Sequence, residues 1–378
     1  MTIEKVHGSG GAATGALIHD IFAKAFGYDP DEPLEDAAVL EIPSSRIALT
    51  TDSFVVTPVI FRGGDIGRLS VCGTVNDLLS RGAVPKYLTA GAILEEGLDV
   101  EILKTVVRSM AETAREAGVR VVTGDTKVVE KCGSGESGLF INTTGVGVFP
   151  ASSASNEGAV TAGSDMHETS CSAATCVGAH GIPCPTAAGA RPGDRIIVSG
   201  TMGDHHAAIL SERLSIETDI KSDCAPLGEM VRALLEGGIH VRTIRDVTRG
   251  GLATVLKELA EASAQTFVIR EEDIPVDPKV SDFCGLLGLD PLYMGNEGKL
   301  VAIVPADEAD KAVGLIRRSR YGEKAAEIGY VAVPADGSER NSQEDNFGGR
   351  PGDLIMRTPI GGLRSLTVLQ GEGLPRIC

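Results

Sequence analysis

Gly73-Thr74-Val75-Asn76-Asp77-Leu78-Leu79 lies inside a mostly apolar stretch running from residue 67 to residue 82. The stretch reads as a helix starting near Ile66, with Leu69, Leu78 and Leu79 towards a core. An Asn-Asp pair in such a helix is costly unless both side chains find partners. It marks either a buried hydrogen-bond network or a site. Upstream, residues 46–51 form a strand that ends in Thr51-Asp52-Ser53. Downstream come an apolar strand at 87–94 and a helix over 100–117, whose Ile102, Leu103, Val106, Val107, Met110 and Ala114 repeat at helical spacing. A strand at 119–123 then ends in Gly124-Asp125-Thr126-Lys127-Val128-Val129, and 139–149 completes a sheet.

The second half repeats the alternation. Strands are expected at 195–199, 243–247, 267–270 and 300–304, and helices over 207–214, 226–236, to 262, and 307–318. Asp246-Val247-Thr248-Arg249-Gly250-Gly251 puts an acid at a strand end and two glycines at a helix start, which suits a metal–phosphate site. Gly295-Asn296-Glu297-Gly298-Lys299-Leu300 leads into the 300–304 strand. His205 and His206 follow a strand and a turn, as a proton shuttle or as structural residues. The fold class is therefore α/β (α+β) in two domains, 1–150 and 190–369, followed by a mobile tail, 370–378.

Residues 151–189 are rich in Ala, Ser, Thr and Gly and carry His167, Cys171, Cys176, His180 and Cys184. They read as a flexible insertion or linker. A thiophilic metal site is the other reading, although the spacing matches no familiar finger.

The 378 residues suffice for two cores. With 35 Lys and Arg against 52 Asp and Glu, the net charge is −17. Charge alone thus argues against nucleic-acid or anionic-membrane binding. No apolar run reaches the ~20 residues of a membrane span, and no signal-peptide core opens the chain. The eight cysteines read as reduced cytosolic thiols, and the expected location is cytoplasmic. No GxxxxGK[ST] loop occurs, so nucleotide use would rest on acids and metal. Asp36, Asp52, Asp77, Asp125 and Asp246 recur at strand ends and helices, which together suggests Mg²⁺ sites. The glycines of His7-Gly8-Ser9-Gly10-Gly11, ahead of a helix over 14–26, offer backbone N–H groups to an anion.

The stretches Thr51 to Val56, Gly73 to Leu78 and Gly124 to Val129, in this order, resemble the nucleotide-domain motifs of the HypE hydrogenase maturation factors. So does the ending Leu374-Pro375-Arg376-Ile377-Cys378. That family lies in the PurM-like (aminoimidazole ribonucleotide synthetase) superfamily. The resemblance covers nearly the whole chain except 151–189 and about 337–349. It departs at Ala12, where the family usually has a basic residue. It implies two PurM-like domains, the first binding ATP and forming a homodimer. It also implies ATP-dependent dehydration of a carbamoyl group on Cys378 to a thiocyanate, the source of a cyanide ligand for the iron of a [NiFe]-hydrogenase.

ATP and Mg²⁺ would be held by Gly10, Gly11, Asp52, Asn76, Asp77, Asp125, Thr126 and Asp246, with Asp36 a further metal ligand. Lys127 and Glu297, beside glycines in different domains, would form the acid–base pair, with Glu271 or Glu272 as fallback. Expected partners are a carbamoyltransferase maturation protein that loads Cys378 and iron-scaffold maturation proteins that accept cyanide. Alternatives are another PurM-like synthetase, of the selenophosphate or aminoimidazole ribonucleotide type, or a non-catalytic maturation scaffold.

Overall fold

The computed structural model describes residues 2–8, 12–28, 40, 42, 46–131, 138–149, 184–333 and 349–370. In chain order the first half contains α1 (Ala12–Leu17), a π-helical segment (Ile18–Ala23), α2 (Lys24–Phe26), β1 (Ile47–Phe54), β2 (Ile60–Phe61), β3 (Gly64–Asp65), α3 (Ile66–Ser80), β4 (Val84–Glu95), α4 (Val100–Ala117), β5 (Arg120–Val129) and β6 (Leu139–Val148). The second contains β7 (Arg195–Val198), α5 (Asp204–Arg213), α6 (Gly228–Glu236), β8 (Thr243–Asp246), α7 (Gly251–Ser263), β9 (Phe267–Arg270), α8 (Pro278–Leu287), β10 (Leu300–Val304), α9 (Ala309–Arg318), β11 (Ala326–Val331), β12 (Leu354–Arg357) and β13 (Leu363–Leu366).

The first sheet has the order β1-β6-β4-β5. Only β4 and β5 run parallel, joined through α4. The second has the order β13-β12-β9-β11-β7-β10-β8, with β9 and β12 its one parallel pair. The expected two-domain α+β class holds. Among the described residues no helix is long and apolar enough to cross a membrane.

α3 is the hinge of the architecture. Asp65 caps it, accepting from the N–H groups of Gly67 (2.8 Å) and Arg68 (3.0 Å), which fills two of the donors a helix start leaves open. Twelve of its fifteen residues are buried, because it is covered on several sides by β1, β6, α4, β8 and α6. Gly67 is what lets α4 come so close, since a Cβ there would stand 2.2 Å from the carbonyl oxygen of Val106. One apolar cluster runs from α3 and α4 through α6 to α9, and so belongs to both halves.

The structure differs from the sequence reading in three places. β5 runs on through Gly124 to Val129, so Asp125 lies within a strand rather than at its end. α8 and β11 were not expected as elements; β11 is bulged between Glu327 and Gly329, and this breaks its alternation. The packed second half also begins before residue 190. Cys184 is buried, and Thr186 donates to the carbonyl of Arg242 at 3.0 Å. The rest of the expected insertion and the 334–348 loop lie outside the described residues.

Candidate active site between the two domains

The face on which a strand residue sits decides which acids meet. On β1, Thr50, Asp52 and Phe54 are the partly or fully buried alternation, while Ile47, Leu49, Thr51 and Ser53 are exposed. The buried set faces α3: Thr50 Oγ1 donates to Asp77 Oδ2 at 2.7 Å, and Asp52 and Asp77 are hydrogen-bonded to each other. Asp246, at the end of β8, comes from the second domain and is 8 % exposed. Burial, followed by the charge of Asp77 and that hydrogen bond, pushes Asp52 up to about 6, with Arg249 acting against it. Burial, then Asp77, raises Asp246 to about 7, with Asp52 adding to it and Arg245 opposing. The negative charge of Asp77 thus raises the proton affinity of Asp52 beside it and of Asp246 from the other domain.

Such a set fits a hard divalent cation, whose charge would remove the repulsion that raises the pKa values. Among the described residues no three His, Cys, Asp or Glu side chains are already gathered round a single ion position. An ion there would complete its shell with water and phosphate oxygens, as Mg²⁺ does.

Glu297, 5 % exposed, stands beside these acids. Burial raises its pKa well above the ordinary carboxylate range, and Asp223, Asp246 and Cys72 raise it further, against Arg249. Its backbone is held on both sides. The N–H of Glu297 donates to Asp223 Oδ1 at 3.0 Å, and its carbonyl accepts from Ala225 N–H at 3.2 Å. A Cβ at Gly298 would fall 1.8 Å from the carbonyl oxygen of Asp223, so that position needs glycine. Arg249 is exposed and forms no hydrogen bond or ion pair among the described residues. Its charge reaches Asp52 and Glu297, one from each domain.

The sequence-predicted residues separate into groups. Asp52, Asp77, Asp246 and Glu297 come together. Asn76 is used otherwise. Only 4 % exposed, it donates to the Ala225 carbonyl at 3.1 Å and accepts from Leu227 N–H at 3.0 Å, tying α3 to the segment before α6. Its amide is thus a domain tie rather than a nucleotide ligand.

Asp125 and Lys127 are set apart within one chain. Across the sheet, Ser53 pairs with Asn142, Asn142 with Gly91, and Gly91 with Asp125. Residues in one row share a face, so Asp125 shares the exposed face of Ser53, opposite to Asp52, and lies three strands away. Lys127 pairs with Asp125 at 2.8 Å, and this contact is the chief cause that lowers the Asp125 pKa. The groups acting most strongly on Glu297 are Asp223, Asp246, Cys72 and Arg249; the expected Lys127–Glu297 pair is not made within one chain. Thr126 is buried on the other face of β5. Glu271 and Glu272 sit exposed on a 3-10 turn after β9. Gly10, Gly11, Asp36, Cys378 and the 151–183 Cys/His cluster lie outside the described residues.

His205 and His206 are structural. The first is fully buried, with Nδ1 2.8 Å from Ser222 Oγ, and burial lowers the second to about 4. Sequence reading missed Asp223 and the buried thiols of Cys72 and Cys224, which come from the two domains and act on each other and on Glu297. No spacing signals them, because only the tertiary fold brings them to Glu297.

Residues 34–149 match the N-terminal domain of the AIR synthase related protein family, and residues 191–339 match its C-terminal domain. A carbamoyl dehydratase HypE of Azotobacter vinelandii is 44 % identical over 379 residues, spanning 100 % of this chain and 97 % of the relative. A crystal structure of the hydrogenase maturation protein HypE in complex with ATP superposes with a TM-score of 0.82 at 41 % identity, covering 99 % of both chains. A HypE–HypF complex structure gives 0.70 at 39 % identity, covering 94 % of this chain and 100 % of that one. With likeness of this extent over both domains, the chain belongs to the HypE family of carbamoyl dehydratases.

Proposed function

We propose that this protein is an ATP-dependent dehydratase that converts a carbamoyl group on its own Cys378 into a thiocyanate for hydrogenase maturation. The observation that carries this reading is the convergence of Asp52 and Asp77 from one domain with Asp246 and Glu297 from the other. A metal–phosphate pole and a buried acid–base group then flank one cleft. An amide oxygen is a poor leaving group; transfer of the ATP γ-phosphoryl group to it supplies a good one. Mg²⁺, held through Asp52, Asp77 and Asp246, would screen the charge of the transferred group. Glu297, as carboxylate, takes a proton from the carbamoyl nitrogen. The C–O bond breaks as phosphate leaves, the second N–H proton passes to solvent, and the carbon is left as S–C≡N. The products are ADP and phosphate, and no redox change occurs.

Two features support a homodimer through the four-stranded sheet. Its face opposite to α3 leaves Ile47, Leu49, Ile93 and Val129 exposed, on the same side as Asp125 and Lys127. A second copy covering that face would bury the apolar residues and set Asp125 and Lys127 in the seam between copies, where Lys127 serves the site from outside its own chain. A HypF-type carbamoyltransferase is the partner that loads Cys378, by analogy with the HypE–HypF complex, and iron-carrying maturation proteins accept the cyanide. The four described cysteines are all free, which suits a reducing cytoplasm.

The test is single-turnover reaction of carbamoylated protein with ATP. Glu297→Gln is expected to slow water loss by about 10²–10⁴-fold while keeping ATP affinity. Water loss at the parental rate would exclude Glu297.

A further inference from the structure

Behind Glu297 stands a chain of buried charges that the reaction as described does not use. Lys299 Nζ lies 2.9 Å from Asp223 Oδ2 and 3.8 Å from Asp204 Oδ2. Thr201 Oγ1 donates to Asp204 at 2.5 Å. The side chains of Lys299, Asp223 and Asp204 are 9 %, 4 % and 12 % exposed. Burying two carboxylates and one ammonium leaves an uncompensated negative charge, and apolar replacement of such a set is often neutral or stabilising. Stability therefore gives no reason for it. Its position does. Asp223 spans Lys299 and Glu297, its Oδ2 on the first and its Oδ1 accepting the N–H of the second at 3.0 Å.

We propose that Asp223 is a positioning residue for Glu297, and that Lys299, itself braced by Asp204, is what allows a second buried carboxylate to stand beside the first. The inference rests on the dehydratase reading and adds to it. The segment from Asp223 to Leu227 is fixed at its other end by Asn76, the neighbour of Asp77 on α3. One strap therefore sets Glu297 in register with the phosphate-binding acids of the other domain. Asp223 also makes Glu297 a stronger base once it is ionised, because a negative neighbour raises its affinity for the carbamoyl proton. Lys299 limits that effect.

The groups facing Glu297 are Asp223 and Cys224 from the strap, Asp246 and Arg249 from the β8–α7 turn and Cys72 from α3, with Lys299 and Asp204 behind Asp223. Removing one negative or one positive charge from this set should move the pH limb of water loss in opposite directions.

Carbamoylated wild type, Asp223→Asn and Lys299→Met proteins are mixed with ATP across a pH series, and loss of water from the Cys378 peptide is followed by mass spectrometry. Asp223→Asn should lower the plateau rate by about 10- to 100-fold, by analogy with outer partners that orient metal ligands, and shift the rising limb to lower pH. Lys299→Met should shift it to higher pH. ATP affinity should stay within about twofold in both, since neither residue belongs to the Asp52–Asp77–Asp246 set. If Asp223→Asn does not fold, Asp204→Asn replaces it, with a downward shift expected. Unmoved limbs, or both limbs moving the same way in folded variants, overturn the role given to Asp223. A wild-type protein that loses no water at any pH overturns the dehydratase reading itself, and the role of Asp223 falls with it.

Discussion

Asp52, Asp77 and Asp246 repel one another in the folded protein, and this fixes how pH acts on the site. Their ionised forms are what a cation binds, and Asp52 and Asp246 hold protons up to about 6 and about 7. Mg²⁺ and Mg-ATP affinity should therefore rise steeply as pH increases through 6 to 7 and level off above it. Calorimetry between pH 5.5 and 8 checks this, and a flat profile would speak against these ligands. The linkage to stability has the opposite sign. A carboxyl whose folded pKa lies above its unfolded value stabilises the protein fully below the unfolded value, and that contribution is lost as pH rises through the folded one. Without divalent ions the melting temperature should fall between about pH 4 and 7, and added Mg²⁺ should restore it. Asp246→Asn should remove most of the Mg dependence of ATP binding and flatten the metal-free decline. These acids are legible in the sequence because each is a carboxylate near the end of a recognisable strand or helix, where an apolar run makes an acid conspicuous. Asp223 is not, since it is one acid in an irregular segment and gains its meaning only when folding brings it to Glu297.

At the scale of elements, α3 carries both the site and the domain junction. Its asparagine satisfies one carbonyl and one N–H across that junction. Asn76→Leu would bury both without partners and should cost about 2–4 kcal/mol, read from the denaturation midpoint, even though the side chain would touch no nucleotide. Unchanged stability with lost ATP binding would restore the nucleotide-ligand role expected from sequence. α4, β9 and β10 stand where the sequence puts them, because α4 buries one regular helical face and β9 and β10 are short apolar runs buried on both sides. α8 escaped the sequence reading because Gly285 interrupts its short apolar run and Gly288 ends it. β11 escaped because Gly329 lies where a Cβ would meet the Val268 carbonyl at 2.1 Å, a close approach that no propensity encodes. β5 is the instructive case. Reading Gly124 as the strand's end placed Asp125 with the other acids, whereas two further turns of alternation put it on the opposite face.

For the whole molecule, the packed second domain starting by Cys184 narrows what can be removed. Deleting 153–180 should leave ATP binding and dehydration within about twofold, whereas a cut through 187 would take away the buried Cys184 and the Thr186 bond to Arg242 and should destabilise the protein by about 1–3 kcal/mol. Loss of activity from the shorter deletion would give the Cys/His segment a role beyond connection. The proposed reaction turns on one terminal thiol that would receive a carbamoyl group, meet Glu297 and Mg-ATP in the cleft, and deliver cyanide elsewhere. Mass spectrometry of the Cys378 peptide from carbamoylated protein, with and without ATP, measures this directly. The account predicts that the carbamoyl adduct persists without ATP and loses one water with it, and that Cys378→Ala protein binds ATP yet gains no adduct. A carbamoyl group found on Cys72 or Cys284, with Cys378→Ala fully active, would contradict it.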